Sequence, residues 1–396
     1  MLLRILLDPE SRRDPYPLYQ ELRELAPVLR SSMGALVLSR YDDCLEVLRD
    51  PRLGRGTRAR LAGELPIPEM PAGFDVDLEQ SREFFERATN SMLFADPPDH
   101  TRLRRLASRA FTPQRVEALR PAVQAMVDEL LDGMAEKEEV DVIEALAFPL
   151  PVTVIGELLG VPAADRAAFQ PLVGAGVAAL DPTASSDDLA RAIVVQDEMA
   201  EYFVDLVAER RRRPAADLLS GLVAARDEDD ALSDDDGFET TTNLIGNGLL
   251  ALLRHPDQLA RWRGDPGLAR SGVEELLRWD SPVHLNGRTA LEPAEVVGER
   301  LEPGDFVTVL AAGANRDPAR FADPEVFDVG RADNAPLSFG WGIHNCLGAA
   351  LARMEGEVVF NALLARFPTI ELAVDEPERK PTLVLRGLAS LPVRLA

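Results

Sequence analysis

The sequence predicts a single, mainly α-helical domain with a few small β-sheets. Three observations carry this. Segments such as Ala122–Leu131, Val152–Leu159 and Leu347 to about Phe367 repeat apolar residues at helical spacing, and Pro368 closes the last of them. Short apolar runs bounded by Gly and Pro lie near both ends and read as strands. No internal repeat, low-complexity tract or glycine-rich phosphate loop suggests another architecture. The chain of 396 residues is long for one domain, but 46% of it is apolar, enough to bury a large core.

Charge and cysteine content narrow the function. A net charge of −24 argues against nucleic acid and anionic membranes as partners. Cys44 and Cys346 lie too far apart in sequence to form a disulfide framework or a zinc set, which fits a reducing cytosol. The apolar start, Met1–Leu7, breaks off at Asp8-Pro9 and is too short to span a membrane. It carries no signal-peptide cleavage region, so a cytoplasmic protein is expected.

Taken in order, Tyr16–Leu25 is an amphipathic helix. Residues 27–30 and 35–39 form paired strands around Gly34, and Tyr41–Leu48 returns to helix with Cys44 as a structural residue. Residues 51–90, rich in Pro and Gly, read as irregular, and a long irregular stretch inside a compact enzyme is often functional. After Pro97-Pro98, Asp99 is expected to cap a helix. His100 and Arg104, four apart on it, share one face. They either clamp a carboxylate or belong to a solvated basic face with Arg102 and Arg105. Residues 115–213 read as helical with breaks at Pro149, Pro151, Pro162, Pro171 and Pro182. Arg210–Arg213 reads as a solvated helix end, and Asp227–Asp236 as an exposed acidic loop.

A helix is expected from about Gly237 to Arg254. On it, Asp236 and Glu239 have capping-box spacing. Ser271–Trp279 is a further helix, on which Glu275 and Arg278 can pair. Val283–Thr289, with Arg288, is extended. Strands are expected at 296–298 and 305–309, and a final hairpin from Leu383–Leu388 and Leu391–Val393. Finally, Cys346 sits in a glycine-rich loop just before a long helix. Backbone N–H groups and the helix dipole favour a thiolate there, although a lone cysteine is more often a small buried hydrophobe.

The ten residues Phe339-Gly340-Trp341-Gly342-Ile343-His344-Asn345-Cys346-Leu347-Gly348 resemble the haem-binding loop of the cytochrome P450 family. Phe339, Gly342, Cys346 and Gly348 match it position by position, and His344 fits the bacterial version. The resemblance runs through nearly the whole chain and implies the cytochrome P450 fold over residues 1–396, with one haem b. It implies that Cys346 is the iron ligand and that His100, Arg104, Arg288 and His344 neutralise the haem propionates. Glu275 and Arg278 resemble the family's buried brace. The region Asn315–Pro318 and Phe327–Arg331 matches the brace's downstream partner, with Arg331 as its third member. Residues 51–90 would lie over the substrate pocket. Phe169–Ala179, Val283, Leu285, Asn286 and Leu388 would help to line it.

Glu239 and Thr240 resemble the family's acid–alcohol pair, which delivers protons for O–O cleavage in an apolar pocket. Ser233–Asp236 replaces the apolar half-helix expected before Gly237, so roughly 12 residues, three helical turns, are short there. Glu239 therefore serves either a proton relay or a helix cap. The implied reaction inserts one oxygen atom from O2 into a small, largely apolar organic substrate. Electrons would come from a separate ferredoxin and its reductase, for which Arg102, Arg105, Arg109 and Arg353 would form a docking patch. The shortened helix favours one rival, a haem-thiolate sensor, carrier or non-catalytic remnant. Peroxide-driven chemistry is another. A haem-free enzyme using Cys346 as nucleophile would leave four cationic side chains unexplained.

Overall fold

The computed structural model describes residues 9–31, 34–66, 78–89, 91–108, 111–166, 176, 179, 181, 184–215, 217–224 and 239–396. The helices that position the site are α1 (Tyr16–Leu25), α2 (Tyr41–Arg49), α3 (Asp99–Ser108), α4 (Pro113–Ala135), α5 (Glu239–Arg254), α6 (Ala269–Trp279) and α7 (Ala349–Arg366). Their apolar stripes meet in one main core. Val127 and Leu131 of α4, Leu249 of α5, Val273 of α6 and Phe360 of α7 are all buried there.

Short strands flank this helical body. In chain order they are β1 (Val28–Arg30), β2 (Leu36–Leu38), β3 (Leu53–Gly54), β4 (Glu139–Asp141), β5 (Leu285–Ala290), β6 (Ala294–Val296), β7 (Glu299–Leu301), β8 (Phe306–Leu310), β9 (Ile370–Leu372) and β10 (Pro392–Leu395). The largest sheet runs β1-β2-β8-β5-β3, and a second runs β4-β10-β9. In the first sheet β5 pairs with β8 on one side and with β3 on the other, which brings residues near 54 and 288 side by side.

Several expectations change. Residues 51–90 are not all irregular, since they contain β3 and helices at Thr57–Leu61 and Leu78–Ala88. Pro149 and Pro151 lie in the first turn of a helix, Pro149–Leu159, where the missing N–H costs nothing. Asp99 lies within the first turn of α3 and pairs with Arg58 rather than capping. Arg210 is not solvated: it donates to Asp217 and to the Gly160 carbonyl. The C-terminal hairpin does not form. Leu385 and Leu388 make only isolated bridges, to Val283 and Arg379, while β10 pairs with β4 and β9. β4 went unforeseen because three residues carry no periodicity. The acidic loop, the half-helix before Gly237 and most of Phe169–Ala179 lie outside the described residues.

Candidate functional site

The cysteine loop is folded back on itself. The Cys346 amide donates to the Phe339 carbonyl at 2.9 Å, and the Asn345 side chain donates to the carbonyls of Phe339 and Gly340. Gly340 and Gly342 have φ of +64° and +71°, a region where side chains are strained. Gly342 is also required by packing, because a Cβ there would run into the Leu48 carbonyl at the end of α2. Cys346 lies two residues before Gly348, the N-cap of α7. Its side chain is solvent-accessible, yet burial is the strongest influence on its thiol and raises the pKa. Backbone N–H groups of Gly348 and Ala349 and the charges of Arg104 and Arg353 oppose that rise. The helix start thus stabilises the thiolate but does not by itself outweigh desolvation.

Four predicted residues converge near this loop. The rings of His100 and His344 lie 4.3 Å apart. His100 is buried, and among the described residues neither of its ring nitrogens has a hydrogen-bond partner; the same holds for His344 Nε2. Burial, then the neighbouring cations, hold the His344 pKa down at about 2 and lower that of His100. Arg104 is half-buried while Arg102 and Arg105 are exposed, so of the basic side chains of α3 His100 and Arg104 turn inward. Arg104 lies close enough to Cys346 for the thiolate to act on it. Arg288 on β5 is buried, and its pKa falls to about 9 through burial and the charge of Arg55. Arg55 was missed. It belongs to the stretch read as irregular, and only the pairing of β3 with β5 brings it here.

Behind the loop, Glu275 and Arg278 are fully buried and doubly hydrogen-bonded, at 2.7 and 2.8 Å. Arg331 joins Glu275 at 3.1 Å, as does Asn334 at 2.9 Å. Arg278 also donates to the carbonyls of Asn315, Pro324 and Val326. This network ties α6 to the segment leading into the cysteine loop.

The distal candidates are placed separately. Glu239, buried at the start of α5, is ion-paired with Lys380 from the C-terminal segment, and Thr240 beside it is half-buried. Asp236 and Gly237 lie outside the described residues, so no cap contact to Glu239 is described. Leu285, Asn286 and Val283 are half-buried, but Leu388 is wholly buried in the main core. Of the suggested docking patch, Arg353 is paired with Glu274 and stacks over Phe339 at 4.4 Å, and Arg109 lies outside the described residues.

The family model for "Cytochrome P450" matches residues 268–394. The monooxygenase PikC of Streptomyces venezuelae is 42% identical, covering 98% of this chain and 92% of its own. The chain belongs to the cytochrome P450 family. The 6-deoxyerythronolide B hydroxylase of Saccharopolyspora erythraea is 40% identical, with 96% of each chain covered. Cytochrome P450 107B1 of the same organism aligns over 413 positions, more than the 396 residues here, so that relative carries residues this chain lacks. The structure of P450BioI in complex with an acyl carrier protein bearing hexadec-9Z-enoic acid superposes with a TM-score of 0.87, at 34% identity, covering 98% of this chain and 99% of that one.

The protein is accordingly a haem- and iron-binding oxidoreductase of the monooxygenase class, with haem b as cofactor. The residues present fit that group. Buried imidazole nitrogens that have no hydrogen-bond partner among the described residues, flanked by Arg104 and Arg288, suit a ligand that brings carboxylates. Among the described residues no group of three or more His, Cys, Asp or Glu could hold a metal ion without such a cofactor. No described helix is long and apolar enough to cross a membrane.

Proposed function

We propose that residues 1–396 form one domain that inserts an oxygen atom from O2 into a small, largely apolar organic molecule. The observation that carries this is the meeting of His100, His344, Arg104 and Arg288 beside Cys346. Cys346 would supply the thiolate that holds the haem iron, and the four others would hold the haem propionates. When bound, the haem supplies the redox centre and activates dioxygen. The protein orients it: the backbone amides ahead of α7 and the Glu275–Arg278–Arg331 network keep the cysteine loop rigid. Glu239 and Thr240 carry protons into the pocket, with Lys380 holding the Glu239 carboxylate.

Electrons come from a separate ferredoxin and reductase in the cytoplasm. Exposed Arg105 and the Trp341–Ile343 lip of the cysteine loop are accessible to such a donor. Substrates of the kind named for the relatives, such as a 6-deoxyerythronolide or a carrier-bound fatty acyl chain, are suitable starting points for a screen. The test is the difference spectrum of the ferrous carbonyl complex. A Soret band near the thiolate position in the wild type, lost in C346S and C346H, supports the assignment, and its persistence in both variants refutes it.

A second reading has one observation in its favour. The Glu239 carboxylate is engaged by Lys380. If that engagement is permanent, the protein binds haem without activating oxygen. Product formed with O2 and a reductase pair, but not with peroxide alone, excludes this reading.

A further inference from the structure

Strand β5 parts two residues expected together in the pocket, Leu285 and Asn286. Alternate residues of a strand point to opposite faces of the sheet. Leu285 pairs with Leu310, and both pack with Tyr19 of α1 on one face. Gly287 shares that face, where a Cβ would run into the Phe306 ring. Asn286 and Arg288 occupy the other face. They pair with Val309 and Val307 of β8, which are buried together with Leu48 of α2. Leu48 is the residue whose carbonyl leaves no room for a side chain at Gly342, so this face of the sheet leads into the cysteine loop.

Arg288 is buried on this face, and its charge acts on both His100 and His344. Asn286 stands one alternation away, roughly 7 Å along the strand, so one bound molecule can meet both side chains. The Asn286 residue is half-buried, but its Nδ2 is shielded from solvent and has no hydrogen-bond partner among the described residues. An amide nitrogen carries two donor hydrogens, and burying them without an acceptor forfeits the bonds they make to water. The paired residues Val307 and Val309 offer no side-chain oxygen, and Arg288 itself donates, to the Gly287 carbonyl at 2.9 Å.

We propose that Asn286 is a further binding residue of this site, donating from Nδ2 to an oxygen of a molecule held on the Arg288 face. That oxygen belongs either to a haem carboxylate or to a carbonyl or hydroxyl group of the substrate, and both call for the same donor. The inference rests on the haem-site assignment above. It adds a donor that stays neutral at every pH to a set otherwise made of arginines and histidines.

The test uses purified holoprotein and the variants N286L and N286D, which keep the size of the side chain. N286L removes the donor, and N286D replaces it with an acceptor. Haem release to excess apomyoglobin is followed by absorbance. Binding of cyclododecanone and of cyclododecane, a ketone and a hydrocarbon of matching ring size, is followed by the spin-state shift of the Soret band. If the acceptor is a haem carboxylate, release is roughly tenfold faster in N286L and faster still in N286D, where two carboxylates repel. If it is a substrate oxygen, release keeps its wild-type rate, the wild type binds the ketone roughly fivefold more tightly than the hydrocarbon, and N286L loses that preference. Wild-type release from both variants, together with no ketone preference or one that N286L retains, overturns the proposal. Faster release from N286L alone marks a packing fault and also overturns it. A wild-type protein without a Soret band would sink the haem-site assignment, and this proposal with it.

Discussion

A Cβ on Gly342 would meet the Leu48 carbonyl, and the residue also has a φ of +71°. G342A therefore carries both steric overlap and backbone strain, a cost of about 1–3 kcal/mol. The expected outcome is a lower melting temperature together with reduced haem content, measured by thermal melting and pyridine haemochrome. Glu355 on α7 is a different single-residue case. It is buried, one of its oxygens has no hydrogen-bond partner among the described residues, and burial raises its pKa from 4.5 to about 8. A carboxyl with a raised pKa binds its proton more tightly in the folded state. Its contribution is fully present below about pH 4.5 and is lost as pH rises towards about 8. That loss is of the order of 5 kcal/mol at most. Denaturant midpoints at pH 5 and pH 8 should fall in the wild type and fall less in E355Q.

Helix α6 shows what burial does to an ion pair. Glu275 and Arg278 have no exposed side-chain surface, whereas Glu117 in the Arg120–Glu117 pair of α4 has 62%. An exposed pair contributes under about 1 kcal/mol, while removing one member of a buried pair costs about 3–5 kcal/mol. E275Q should therefore destabilise the protein severalfold more than E117Q in urea denaturation, because Arg278 and Arg331 both lose a carboxylate partner. At α5 the issue is position rather than strength. Glu239 and Thr240 lie side by side, as their adjacency required, but the partner that restrains Glu239 comes from 141 residues further along. No helical period announces a contact of that separation.

Across the whole molecule, the two ends of the chain meet at Asp280. Arg386 and Arg379 hold its carboxylate, at 2.7 and 3.1 Å, and Arg386 also donates to the carbonyls of Arg12 and Arg13. Arg316 is stacked between Tyr16 and Trp279, 3.7 and 3.9 Å from their ring centres. Burial pushes the Asp280 pKa up, but Arg386 and Arg379 outweigh it, so the net shift is well below the usual carboxylate range. A depressed carboxyl stabilises the fold above its unfolded pKa, and that stability is lost as pH falls through the folded value. D280N leaves the buried Arg386 and the half-buried Arg379 without their carboxylate and should cost about 3–5 kcal/mol at neutral pH. Its urea midpoint should also vary less than the wild type's between pH 5 and pH 3.

The helices on this scale were legible from apolar spacing: α1 occupies Tyr16–Leu25 as expected, and α6 and α7 differ from expectation by about two residues. The cysteine loop was legible too, because its glycines, His344 and Cys346 are contiguous and act on one another locally. The sequence by itself therefore determined the family, the cofactor and the candidate iron ligand. Tertiary structure decided which charges face that ligand and which face water. It turned His100 and Arg104 inward from Arg102 and Arg105, brought Arg55, just past β3, to the same Gly287 carbonyl as Arg288, and joined Glu239 to Lys380. The physical reason is range. Backbone conformation and helix ends depend on residues a few positions apart, whereas burial and charge pairing depend on segments that only the completed fold brings together.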